Sequence, residues 1–142
     1  MKVSAKWVGD AMFLGESGSG HCVVMDGPED HGGRNVGVRP MEMILLGMAG
    51  CASFDVVSIL KKSRQKISDC MAHIEAERAD TVPAVFTSIN IHFVVTGIDL
   101  KEKQVERAVQ LSAEKYCSAS IMLARAGVGI SHSHELRAVE EG

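Results

Sequence analysis

From Met41 to Phe54 the chain is apolar on nearly every side of a helical projection, and a polar face opens only after Asp55. Pro40 suits the first position of a helix, where its missing N–H costs nothing, and Glu42 places a negative charge in the first turn. The pattern predicts a helix over about Pro40 to Lys66, ending in the basic group Lys61, Lys62, Arg64 and Lys66. A helix apolar all round has to be enclosed by protein. A chain of 142 residues is one ordinary domain, read here as a single unit over 1–142, with few other elements to do the enclosing. A second copy of the chain is therefore expected to supply part of the cover.

Around that helix the rest reads mostly as strand. Lys2 to Val8, Met12 to Leu14 and His21 to Met25 are short and bounded by turn residues, with Gly15, Gly18 and Gly20 between the last two. Asp26 to Val38 holds turn residues throughout and predicts a surface loop. Strands are expected over Ile67 to Ala79 and Ala84 to Thr96, joined by a turn at Thr81, Val82 and Pro83. In the second, Val85, Thr87, Ile89, Ile91, Phe93 and Val95 share one face, and Ser88, Asn90 and His92 the other. Lys101 to Lys115 predicts an amphipathic helix with Val105, Ala108, Val109 and Ser112 inward, Tyr116 to Ala124 a short helix, and Val128 to Val139 a last strand. The sum is an α+β fold in which helices lie on antiparallel sheet.

Several function classes drop out. Net charge is −3 and basic residues are scattered, which leaves no electrostatic footprint for nucleic acid or anionic lipid. Lys6 and Asp10 interrupt the N-terminal stretch, so no export signal is expected, and Met41 to Phe54 falls short of the roughly 20 apolar residues of a membrane helix. Cys22, Cys51, Cys70 and Cys117 lie far apart with no paired C-x-x-C spacing, against a zinc ribbon or a thioredoxin motif. In a reducing cytoplasm, the expected location, such cysteines are free thiols unless they react. His132 and His134 share a strand face, but without a Cys/His cluster at ligand spacing no metal and no organic cofactor is expected.

Two cysteines stand out. Cys51 lies mid-helix among small residues, with Gly47, Met48, Phe54 and Asp55 as its helical neighbours. Burial and Asp55 both work against a thiolate there, so reactivity requires a cation from elsewhere, and Arg34 and Arg39 are the candidates. Cys117 stands at a helix junction, Cys117-Ser118-Ala119-Ser120, where unpaired N–H groups favour the thiolate. Cys22 and Cys70 sit in predicted strands, where a cysteine is ordinarily a small hydrophobe.

The segment Arg39-Pro40-Met41-Glu42-Met43-Ile44-Leu45-Leu46-Gly47-Met48-Ala49-Gly50-Cys51 resembles the central-helix motif of the OsmC/Ohr family, and Glu114-Lys115-Tyr116-Cys117-Ser118 resembles its second-cysteine motif. Asp55 to Leu60 and Ala76 to Asp80 extend the likeness over nearly the whole chain, closest to the YhfA-like branch. The resemblance implies an OsmC-like fold, antiparallel sheets packed round a long central helix, in an intertwined homodimer with active sites between subunits. It further implies a stress-response thiol peroxidase acting on organic hydroperoxides or hydrogen peroxide. Cys51 matches the peroxidatic position and Cys117 the resolving one, with a dithiol such as a lipoyl group as reductant. Met41 occupies the position at which the family's peroxidases carry glutamate, and Glu42 follows it. From Glu42 to Cys51 is about 14 Å of helix, so the two would meet only across a dimer. The alternative expectation is noncatalytic binding of a small hydrophobic or thiol-bearing ligand in the dimer cleft.

Overall fold

Three strands open the chain, β1 Val3–Gly9, β2 Met12–Ser17 and β3 Cys22–Met25, and they pair in that order as an antiparallel meander. The computed structural model describes residues 1–139, which gather into two units, Met1–Leu46 and the chain from Gly47 onward. The turn between β2 and β3 closes at Gly20, whose φ of 83° favours glycine, while Gly15, expected in that turn, lies inside β2. A Cβ on Gly15 would meet the Val23 side chain at 3.1 Å, so its role is close packing rather than turning.

The loop after β3 is organised by Asp26, which is almost wholly buried. Its carboxylate accepts the N–H groups of Gly27 at 2.8 Å, Arg34 at 3.0 Å and Val36 at 3.3 Å. Burial alone would push this carboxyl up; the three N–H bonds and the charge of Arg39 outweigh it and hold the group below its ordinary value. A short 3-10 turn, Glu29–His31, interrupts the loop.

Helix α1 runs Pro40–Lys62, four residues short of expectation. Arg64 adopts φ 58°, and the N–H of Gln65 bonds the carbonyl of Leu60 while that of Arg64 bonds Lys61. This Schellman closure releases Lys66 to begin the next strand. Met48, Ala52, Val56 and Leu60, one helical line, are wholly buried, whereas Phe54 is 72% exposed, so the chain alone covers one side of the helix. The expectation that no stretch reaches membrane length needs correction: by length and composition only, α1 is long and apolar enough to cross a membrane. Asp55 interrupts the run at a single position, and Val56, Val57, Ile59 and Leu60 resume it.

The second sheet comprises β4 Lys66–Arg78, β5 Phe86–Ile98 and β6 Gly129–Ala138 in that order. β4 and β5 are antiparallel, but β6 is parallel to β5, so this sheet is mixed where an antiparallel one was expected. A parallel pair needs a crossover, and the helices between β5 and β6 supply it. Ile89, Ile91, Phe93 and Val95 are buried as their period-2 pattern predicts. Val85 and Thr87 are not; a register shift opposite Glu77 and Arg78 turns Phe86 inward in their place.

The crossover begins with α2, Glu102–Leu111, whose Val105, Ala108 and Val109 are buried. It widens into a π turn over Ser112–Tyr116 and continues as α3, Ser118–Arg125. The single helix expected to Lys115 thus changes its winding just before Cys117.

Candidate active site

Cys51 and Asp55 are one turn apart on α1, so their side chains project from the same face. The π turn delivers a third group to them. π segments shift the helical register by one residue. Here the turn ends at Cys117, which leaves helical geometry at φ −73°, ψ 99° and becomes the N-cap of α3. Its sulfur accepts the N–H of Ser120 at 3.5 Å, satisfying one of the unpaired donors of the helix start.

The sulfur of Cys51, a carboxylate oxygen of Asp55 and the sulfur of Cys117 all lie within 4.8 Å of one another. Cys117 is sealed from solvent, whereas Cys51 and Asp55 are partly open, so access is from the α1 side. Both thiols are free. A disulfide would bring the two sulfurs to about 2 Å.

Ser112, buried in the first turn of the π segment, donates its hydroxyl to the Ala52 carbonyl at 3.2 Å, and Asp55 lies 3.4 Å from the same hydroxyl. Burial pushes the Cys117 thiol up; hydrogen bonds from Ser120 pull it down, and Cys51 alongside pushes it up again, with a net rise. Cys117, expected to favour the thiolate at its helix start, is instead held as S–H because burial outweighs the Ser120 contacts. Burial and Asp69 likewise raise Cys70, and Cys22 is exposed.

The other sequence-derived candidates belong to the first unit. Arg34 pairs with Asp10, Nε at 2.8 Å and a terminal nitrogen at 2.7 Å. The Arg39 guanidinium donates to the Gly37 carbonyl at 3.1 Å and to Asn35 Oδ1 at 2.8 Å. Glu42 accepts the backbone N–H of Arg39 at 2.8 Å, half of a capping box at the start of α1. Among the described residues no salt bridge involves Asp55.

Ser120 escaped the sequence reading: its hydroxyl is buried beside Cys117, and its spacing of three from an N-cap cysteine is the signal that marks it. Among the described residues, His132 and His134 do not join a cluster of metal-ligand atoms. His134 pairs with Glu102 at 2.6 Å, while Nε2 of His132 is buried without a partner.

Residues 31–133 match the family model described as OsmC-like protein. The chain is 50% identical over 136 residues to Protein YhfA of Escherichia coli strain K12, covering 96% of this chain and 98% of that protein. A solved hypothetical protein from Aquifex aeolicus is 30% identical, with TM-score 0.84 over 98% of this chain and 97% of its own. A Legionella pneumophila structure described as an organic hydroperoxide resistance protein shares the fold at 20% identity, TM-score 0.71, over 95% and 97% of the two chains.

Proposed function

The chain belongs to the OsmC-like protein family, and from that premise we propose that it is a thiol-dependent peroxide reductase in which Cys51 reacts and Cys117 resolves. The observation that carries this reading is the approach of the two sulfurs and Asp55 within 4.8 Å. In the proposed cycle the Cys51 thiolate attacks one oxygen of the O–O bond and becomes sulfenic acid, while the other oxygen leaves with a proton as alcohol or water. The Cys117 thiol then condenses with the sulfenic acid, forming the disulfide and releasing water. A dithiol, of lipoyl type or another small thiol, reduces that disulfide and leaves as its own disulfide.

The two thiols divide the work by environment. Burial keeps Cys117 protonated and out of contact with bulk peroxide, while Cys51 is partly open. The cation that holds Cys51 as thiolate is proposed to be Arg39 or Arg34, with Glu42 as its carboxylate partner, in a homodimer whose second copy covers the open side of α1. The exposed Phe54 supports that assembly. The free thiols fit a cytoplasmic protein.

The test is peroxide consumption with a dithiol donor. Wild type is expected to turn over, Cys51→Ser to be inactive, and Cys117→Ser to stop after one equivalent with a trappable sulfenic acid. Loss of no free thiol at Cys51 under peroxide would remove the enzymatic claim. Arg39→Ala and Arg34→Ala separate the two cations: the activating one is that whose loss slows Cys51 at neutral pH and spares it at alkaline pH.

A binding role is the second reading, favoured by an apolar groove of about 430 Å³ on the first sheet, lined by Val3, Ala5, Val23, Met25 and Met43. Native mass spectrometry showing a retained ligand, with cysteines inert to peroxide, would select it.

A further inference from the structure

We propose that the reduced cluster Cys51, Asp55 and Cys117 is a binding site for a thiophilic divalent cation of the Zn²⁺ class. Three observations converge on it. Two sulfurs and one carboxylate oxygen sit within 4.8 Å of one another, and a tetrahedral zinc holds such atoms about 3.5 to 3.8 Å apart, so the set needs to close by no more than roughly 1 Å. The ligands come from rigid elements, two from one face of α1 and one from the N-cap of α3. Asp55 is partly buried, lacks a basic partner among the described residues, and has only a 3.4 Å contact with Ser112. A dication meets the charge of that carboxylate and of both sulfurs at once.

The donor set decides the class. Two sulfurs exclude calcium and magnesium, which take six or more oxygen ligands, and select zinc-like ions. Among the described residues no other cluster of histidine, cysteine and carboxylate atoms comes this close. Three protein ligands leave a fourth position on the open side, filled by water or a small thiol. Binding forms two metal–sulfur bonds and releases to solvent the Cys117 proton, together with that of Cys51 in the fraction of molecules where it is still a thiol. The sulfur lone pairs are then engaged, so a loaded site resists oxidation: the cation and the disulfide are alternative occupants of the same pair. This goes beyond the peroxidase reading and does not need it.

The probe is Co²⁺, added without oxygen to the reduced full-length protein, with Zn²⁺ as competitor. One saturable equivalent per chain is expected, with sulfur-to-cobalt charge transfer and tetrahedral visible bands that Zn²⁺ abolishes. The bands are expected to survive in the Cys22→Ser/Cys70→Ser double variant, to vanish in Cys51→Ser and in Cys117→Ser, and to need about tenfold more cobalt, or beyond, in Asp55→Asn. A variant-free readout guards against misfolding: Zn²⁺ should slow iodoacetamide labelling of Cys51 about tenfold and leave Cys22 unaffected. Absence of a saturable band in wild type, bands that survive loss of Cys51 and Cys117, wild-type affinity in Asp55→Asn, or equal labelling rates would each overturn the site. Neither readout uses peroxide, so this proposal and the peroxidase reading fail separately.

Discussion

Ser112 donates its hydroxyl to the carbonyl of Ala52 at 3.2 Å, tying the start of the π turn to the central helix one residue from Cys51. Both groups are buried, and the same hydroxyl faces Asp55. Ser112→Ala removes the donor and leaves its acceptors with one fewer partner. A loss of about 1 kcal/mol is expected, read as a lower urea midpoint at unchanged slope. Disulfide formation between Cys51 and Cys117 should slow in the same variant, since the tie holds the two segments together.

Phe54 carries the proposed assembly. It stands 72% exposed on a helix whose opposite line is wholly buried. Phe54→Lys puts a charge into any apolar interface formed there, and a charge buried without a partner is strongly unfavourable. Sedimentation velocity is expected to give a dimer for wild type and a monomer for the variant. A wild-type monomer across the micromolar range would rule the homodimer out.

His132 sets a pH dependence. Burial lowers its pKa below the usual 6.5 and leaves Nε2 without a partner. The unfolded chain therefore binds more protons than the folded one once pH falls below that value, and stability drops from there until the folded histidine titrates. Wild type should lose urea resistance as pH falls below 6.5, and His132→Gln should flatten the slope.

Asp26 behaves in the opposite range. Its folded pKa lies below 3.8, so what it contributes is fully present above that value and is lost as pH falls through the folded pKa. Asp26→Asn replaces an acceptor of three N–H groups with an amide that turns a donor toward some of them. Amide exchange at Gly27, Arg34 and Val36 is expected to accelerate in the variant at neutral pH, with exchange in β5 unchanged.

The periodicity of the chain determined much by itself. Apolar spacing marks α2 and β5 because burial acts on side chains at intervals of 3.6 and 2, and that record is local. The N-cap position of Cys117 was legible for the same reason, since four consecutive residues carry it. Other features depended on distant partners. The direction of β6, the bulge that exchanges Phe86 for Val85, and the π turn before Cys117 are set by crossover geometry and sheet register, which no window of sequence contains. Likewise, Cys51 and Asp55 announce themselves as neighbours by being one turn apart. Only the tertiary fold brings Cys117 to them, buries it as the protonated partner, and leaves three ligand atoms within reach of one ion. Distances within a helix follow from its pitch; distances between elements follow from packing, and chemistry at this site depends on the second kind.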